Sequence, residues 1–342
     1  MNHLKKHTQL SPGTTYVNFT GKSTILIAVF FICTATVFRQ KDGFEFQKKV
    51  DLLLTKQIQD VKTSIESLRI AAIEKNDPES IKRKYTLART AFKKMAVLTD
   101  YFNPFQARYL NGPAISRIES ETADRIIPPQ GFQAIEQLIY ADWNADSSFN
   151  QLAALASAMI PILQNMEKEP DRHFKFSQEL VFDAIRSSII GITTIGITGF
   201  DSPVANHSLP EAIASFEGIK QLLEIYREIF PAEKKAQIDA LLISINQNTE
   251  HLDSQGNFNQ FNRLNFITEY LNPLYRQVVQ TRIRTGIGIP PGRNAVNFSA
   301  ESLFAADLLN INFYSPPSEY WVTPERVYLG KLLFADPILS GT

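Results

Sequence analysis

The sequence predicts an all-α protein, and three observations carry that expectation. Apolar residues recur every three or four positions through most of 44–284. Proline, asparagine and aspartate fall between those periodic stretches, where helices would start and stop. No alternating run of apolar and polar residues is long enough to force a sheet. Eight or so helices in about 240 residues make one elongated bundle or two packed four-helix bundles, followed by an irregular C-terminal extension.

The chain opens with Lys5, Lys6 and Lys22 and no acidic residue before the apolar run from Ser23 to Phe38. A basic start followed by about fifteen apolar residues reads as an export signal or a short uncleaved anchor over 1–42. The protein is therefore expected in the periplasm or cell envelope, touching the membrane only through this segment. Val50, Leu54, Ile58, Val61, Ile65, Leu68 and Ala72 then form a heptad-like stripe on a helix ending near Asn76. Asp77 caps the next helix, with Pro78 at its first position and Ile81, Tyr85, Ala88, Phe92, Met95 and Leu98 on its apolar face. Asn103-Pro104 ends it, and 109–119 reads as an irregular crossover.

Further helices are expected over 149–166 and 174–190. The glycines of GITTIGITGFDSP (191–203) fit neither a phosphate loop nor a dinucleotide turn, so that stretch reads as a helix end and tight loop. Ser208 and Glu211 have the spacing of a capping box opening a helix through Ile229. Pro231 starts the next helix, with Ile238, Leu241, Leu242 and Ile245 inward, and a last long helix from Phe258 to about Arg284 should kink at Asn272-Pro273. Tyr101-Phe-Asn-Pro104 and Tyr270-Leu-Asn-Pro273 echo one another, a weak sign of duplication. Residues 285–322 read as a linker, with a short helix over 299–309, and Thr323, Pro324 and Glu325 cap a helix that opens a new unit.

Composition narrows the function. The 35 basic residues balance the 35 acidic ones, and no basic face is visible, which argues against nucleic acid as a partner. The only cysteine, Cys33, lies in the apolar run, so the domain beyond it has no disulfide, thiol nucleophile or covalent haem motif of its own. His3, His7, His173, His207 and His251 have no companions that would build a ligand set in a folded domain.

The centre of the chain, 128–142, carries the most specific signal of a site. Two prolines and Gly131 break the chain, and Phe132, Ile135, Leu138 and Ile139 then recur at helical spacing. Gln133 and Glu136 share one face of the first turn. Gly131, Gln133 and Glu136 resemble the G-x-H-x-x-E motif of the imelysin family, helical bacterial envelope proteins linked to iron uptake, some of them classed as metallopeptidases. The resemblance implies an imelysin-like bundle over 43–284, with positions 133 and 136 as the metal-binding pair. Gln133 stands where the family has histidine and carries no imidazole nitrogen, which makes it a poor transition-metal ligand. Without a metal, Gln133 and Glu136 are expected to join a polar cluster with Arg108, Arg117 or Glu119, because a buried Glu136 needs a partner.

The other end of the chain resembles a second family. In YLGKLLFADPILSGT, the residues Leu329, Gly330, Leu333, Phe334, Asp336, Pro337, Leu339 and Ser340 match the opening of bacterial di-haem cytochrome c peroxidases and the related methylamine-utilisation enzyme. That resemblance implies that 323–342 begin a haem domain in a longer protein with two c-type haems, which reduces hydrogen peroxide with electrons from a small c-type cytochrome. With no C-x-x-C-H in these residues the chain would be its non-catalytic leader, binding no haem itself and docking against the haem domain. The alternatives are an imelysin-like envelope protein that binds a metal or an iron-related ligand, and a metallopeptidase.

Overall fold

The computed structural model describes residues 21–118, 126–144, 146–169, 172–291, 294–314 and 317–340; for 21–42, 173, 174 and 340 it describes the backbone alone. Two compact units divide the chain, Met1–Glu45 and Phe46–Thr342. In the first, the described part is the helical start of α1 (Gly21–Ile73). The segment before Gly21 and the side chains of the apolar run lie outside the described residues, and with them the expected export signal. Among the described residues no helix is long and apolar enough to cross a membrane.

The second unit is all-α. The expected stripe on α1 is its core face: Val50, Ile58, Val61, Ile65 and Leu68 are fully buried. α2 (Pro78–Phe102) starts as the sequence requires, Asp77 accepting a hydrogen bond from the Ser80 N–H at 2.9 Å, and its six expected apolar residues are all buried. α3 (Pro104–Asn111) follows directly, and the crossover beyond it includes a minimal antiparallel pair, β1 (Arg117–Ile118) with β2 (Ile126–Ile127). Then come α4 (Phe132–Tyr140), α5 (Ser148–Glu167) and α6 (Gln178–Gly191). α6 runs on into a π turn, Ile192–Gly196, before the chain reaches α7 (Ser208–Ile229) and α8 (Ala232–Asp253).

α2 packs along α7, α7 along α8 and α8 along α10 (Asn272–Thr285). The α2–α7 crossing is close because of Gly218: a Cβ there would stand 2.3 Å from the backbone oxygen of Lys94. The last long helix begins at α9 (Arg263–Phe266), five residues later than the spacing suggests, and runs through a second π turn, Ile267–Leu271, into α10. That turn precedes Pro273, whose ring and missing N–H an uninterrupted α-helix accommodates poorly.

Two expectations are corrected. Residues 299–309 form turns with an isolated bridge between Val296 and Leu309, and no helix. The capping box at Ser208 does not form: His207 is the N-cap residue without a side-chain cap, and the buried Ser208 hydroxyl has no partner among the described residues. Glu211 is drawn into a different set of bonds, described below. Thr323 does cap α11 (Pro324–Phe334), accepting from the Arg326 N–H at 3.3 Å, and α12 (Pro337–Ser340) follows.

Candidate functional site

Gly131 sets the position of the central helix. Its φ of +80° suits glycine, and a Cβ would lie 2.4 Å from the Leu110 backbone oxygen and 2.6 Å from that of Tyr109. The start of α4 is thereby pressed against the end of α3. This brings Gln133 within reach of α3, where its side-chain N–H donates to the Asn111 backbone oxygen at 3.4 Å.

Glu136 is completely buried, and its partners differ from those expected. The Tyr85 hydroxyl donates to Oε2 at 3.1 Å. Oε1 accepts from the backbone N–H groups of Val204 and Ala205, both at 2.8 Å, and from the Ser202 hydroxyl at 3.2 Å. Ser202 in turn accepts from the His207 N–H at 3.1 Å. Arg108 and Arg117 make no hydrogen bond or ion pair with Glu136, and Glu119 lies outside the described residues. The carboxylate therefore ties α4 to α2 and to the loop between the first π turn and α7. Burial raises the Tyr85 hydroxyl well above its ordinary pKa, so it remains a donor at any physiological pH.

These contacts decide how well the pair fits a metal. Both oxygens of Glu136 are committed to hydrogen-bond donors, and Gln133 offers an amide whose N–H faces a backbone carbonyl. The two residues do not fit a metal-binding pair. Among the described residues no group of three His, Cys, Asp or Glu side chains is arranged to hold a metal ion. His207 packs edge-on against Tyr140, and His251 stacks on Tyr270 with ring centroids 4.1 Å apart. His3, His7 and the side chain of His173 lie outside the described residues.

A charged cluster that the sequence did not reveal lies beside the pair. Arg89 is 1% exposed and grips Glu211 with two bonds, Nε to Oε1 at 2.8 Å and Nη2 to Oε2 at 2.5 Å. Nη2 also donates to the Asp201 backbone oxygen at 2.8 Å, and Nη1 donates to the Asn111 side-chain oxygen. Lys93, one turn further along α2, pairs with Asp201 and stands 3.7 Å from Glu211. The Asn111 amide donates to Asp201 at 2.7 Å. The loop over 197–207, expected to be structural, thus supplies Asp201 and Ser202 to two adjoining polar networks.

Burial opposes the charge on Arg89, yet Glu211 and its other anionic neighbours raise its pKa further above the ordinary value. Lys93 goes the other way: burial first, then the Arg89 charge, push it down to about 8, with Glu211 and Asp100 pulling upward. The unfolded chain then holds more protons than the folded one between about 8 and the ordinary 10.5, so stability should rise with pH across that window. Urea denaturation through this window should show the rise in the wild-type protein and a flatter profile in Lys93→Met. Parallel profiles would remove Lys93 as its source.

Lys93, Asn111, Asp201 and Glu211 of the cluster line a cavity of about 950 Å³, together with residues of α2, α3, α6 and its π turn. Lys93, Asp100, Asn111, Gln133, Asp201 and Glu211 supply polar lining; Ala96, Val97, Ala107, Ile192, Ile195 and Phe200 supply apolar walls. Tyr101 also lines it, its hydroxyl donating to Asp183 at 2.7 Å.

The arrangement of helices has a counterpart among solved structures. The fold is imelysin-like: the chain is similar to the crystal structure of an imelysin-like protein from Psychrobacter arcticum 273-4, with a TM-score of 0.61. The likeness covers 74% of this chain and 98% of that one at 13% sequence identity, and at that identity it concerns the fold alone. No protein-family model matches the chain, and no curated protein matches it.

Proposed function

We propose that the imelysin-like bundle is a binding module that takes a small organic molecule in the cavity beside Gln133, with no metal held by Gln133 and Glu136. The observation that carries this reading is the cavity itself. Its volume lies within the range of small-molecule sites, and its lining combines apolar and polar side chains. The hydrogen bonds of Gln133 and Glu136, made to other partners than the expected Arg108, Arg117 or Glu119, support it from the other direction, since they use both residues in holding α4 to its neighbours. The basic start of the chain and the apolar run 23–38 support a place in the cell envelope for the module.

Native mass spectrometry of the protein purified from its own host tests the reading. The wild-type protein is expected to carry a non-covalent small molecule that Ser188→Trp, which fills the cavity from α6, does not retain. Equal occupancy in both, or a bound transition metal lost on changing Gln133 and Glu136, would overturn it.

A second reading concerns α11 and α12, where Leu329, Leu333, Phe334 and Ile338 are all exposed, Phe334 at 96%. Helices presenting that much apolar surface support their resemblance to the start of a di-haem peroxidase domain, which would cover them. In that longer protein the bundle would dock the haem domain or its small cytochrome donor, and two c-type haems would reduce hydrogen peroxide. Haem staining and peroxide turnover of the full gene product, made in a host that matures c-type cytochromes, would check this. A product without covalent haem would exclude it.

A further inference from the structure

Gln133 lines the cavity with an amide that the protein leaves half used. The residue is 8% exposed, and its side-chain nitrogen donates to the Asn111 backbone oxygen at 3.4 Å. Among the described residues its Oε1 accepts no hydrogen bond. Turning the amide over would not supply one, because Oε1 would then face the Asn111 carbonyl. That oxygen is not among the unpartnered polar atoms sealed from water, such as His207 Nδ1, so water reaches it. A buried amide oxygen without a donor costs free energy, and an occupant that donates to it would recover that cost.

The buried charges of the lining are already satisfied. Lys93 pairs with Asp201, and Glu211 is gripped by Arg89. Asp100 and Arg108 are exposed residues of opposite sign, where water screens them. A charged ligand would therefore give up its hydration without gaining a buried counter-charge. A single amide oxygen does not hold a hard cation either, since calcium and magnesium take about six or more oxygens.

Resting on the binding reading above, we infer that the ligand of this cavity is an uncharged molecule with an apolar body, an amide or an alcohol, whose N–H or O–H donates to Gln133 Oε1. Ala96, Val97, Ile192 and Ile195 supply apolar wall for the body. A ligand without a donor would displace the water at this oxygen and put no hydrogen bond in its place.

Calorimetric titration with octanamide, N,N-dimethyloctanamide, octanoate and octylamine tests the assignment. Octanamide should bind the wild-type protein about fivefold or more tightly than its dimethyl derivative, which keeps the carbonyl and lacks the N–H donors. It should exceed octanoate and octylamine by about the same factor. In Gln133→Met, which keeps the length of the side chain and removes the amide, the two amides should come within about twofold of each other. An octanamide preference that persisted in Gln133→Met would trace to the bulk of the methyl groups and overturn the role of Oε1. Equal binding of the two amides by the wild-type protein, or tighter binding of octanoate or octylamine, would overturn the assignment and leave the cavity as a ligand site. Those comparisons use the wild-type protein alone and stand whether or not the variant folds. Failure of all four probes to bind the wild-type protein would count against the cavity as a ligand site as well.

Discussion

Arg89→Met should destabilise the protein by about 3–5 kcal/mol, the usual consequence of stripping a buried ion pair of one partner. Methionine fills much the same space, so the loss is electrical: Glu211 and Asp201 would keep only Lys93 and the Asn111 amide. The neutral double variant Arg89→Met with Glu211→Leu should recover a large part of the loss, because a buried apolar pair costs less than a buried charge without its counterion. Urea denaturation of the three proteins measures both effects. A loss below about 1 kcal/mol in the single variant would mean that water reaches these carboxylates freely, since exposed pairs are worth no more than that.

Glu136→Ala should be nearly as damaging, at about 3 kcal/mol or more, because it leaves the N–H groups of Val204 and Ala205 without an acceptor and opens a void beside Tyr85. Glu136→Gln retains an oxygen for those two N–H groups and can donate its amide N–H to the Tyr85 hydroxyl, which keeps the Phe132 backbone oxygen as an acceptor, so its cost should be nearer 1 kcal/mol. Hydrogen exchange gives the local readout: the amides of Val204 and Ala205 should lose protection in Glu136→Ala and keep most of it in Glu136→Gln. Equal protection in both variants would show that the loop over 202–205 holds its shape without the carboxylate.

The two substitutions also mark where the sequence was legible. The stripe from Val50 to Ala72 and the face from Ile81 to Leu98 could be read directly, because burial imposes a helical period that no other force imitates. The caps at Asp77 and Thr323 were equally plain, each bonding to a backbone N–H three residues on. Gly131 and the need of Glu136 for a partner were also readable, though the partners were not. A carboxylate's demand for donors is local chemistry, whereas backbone N–H groups 68 and 69 positions away leave no mark in residue type. Arg89 and Lys93 flank the apolar face of α2 and look like solvated side chains. Only the approach of α7, with Glu211 arriving 122 positions later, makes them interior. The same approach defeats the capping box, since a glutamate gripped by a buried guanidinium cannot also turn back to its own helix end.

The two π turns have a consequence for how this bundle tolerates change. Each holds one residue more than a regular helical turn, and one residue corresponds to a rotation of about 100° around the axis. Downstream of Ile267–Leu271, the buried set Leu274, Tyr275, Val278 and Val279 therefore points inward only because that extra residue is present. Deleting a single residue there would restore a smooth helix and turn these four side chains away from α8. The segment thus acts as a phase adjuster, and α10 keeps its place in the bundle only at its present length.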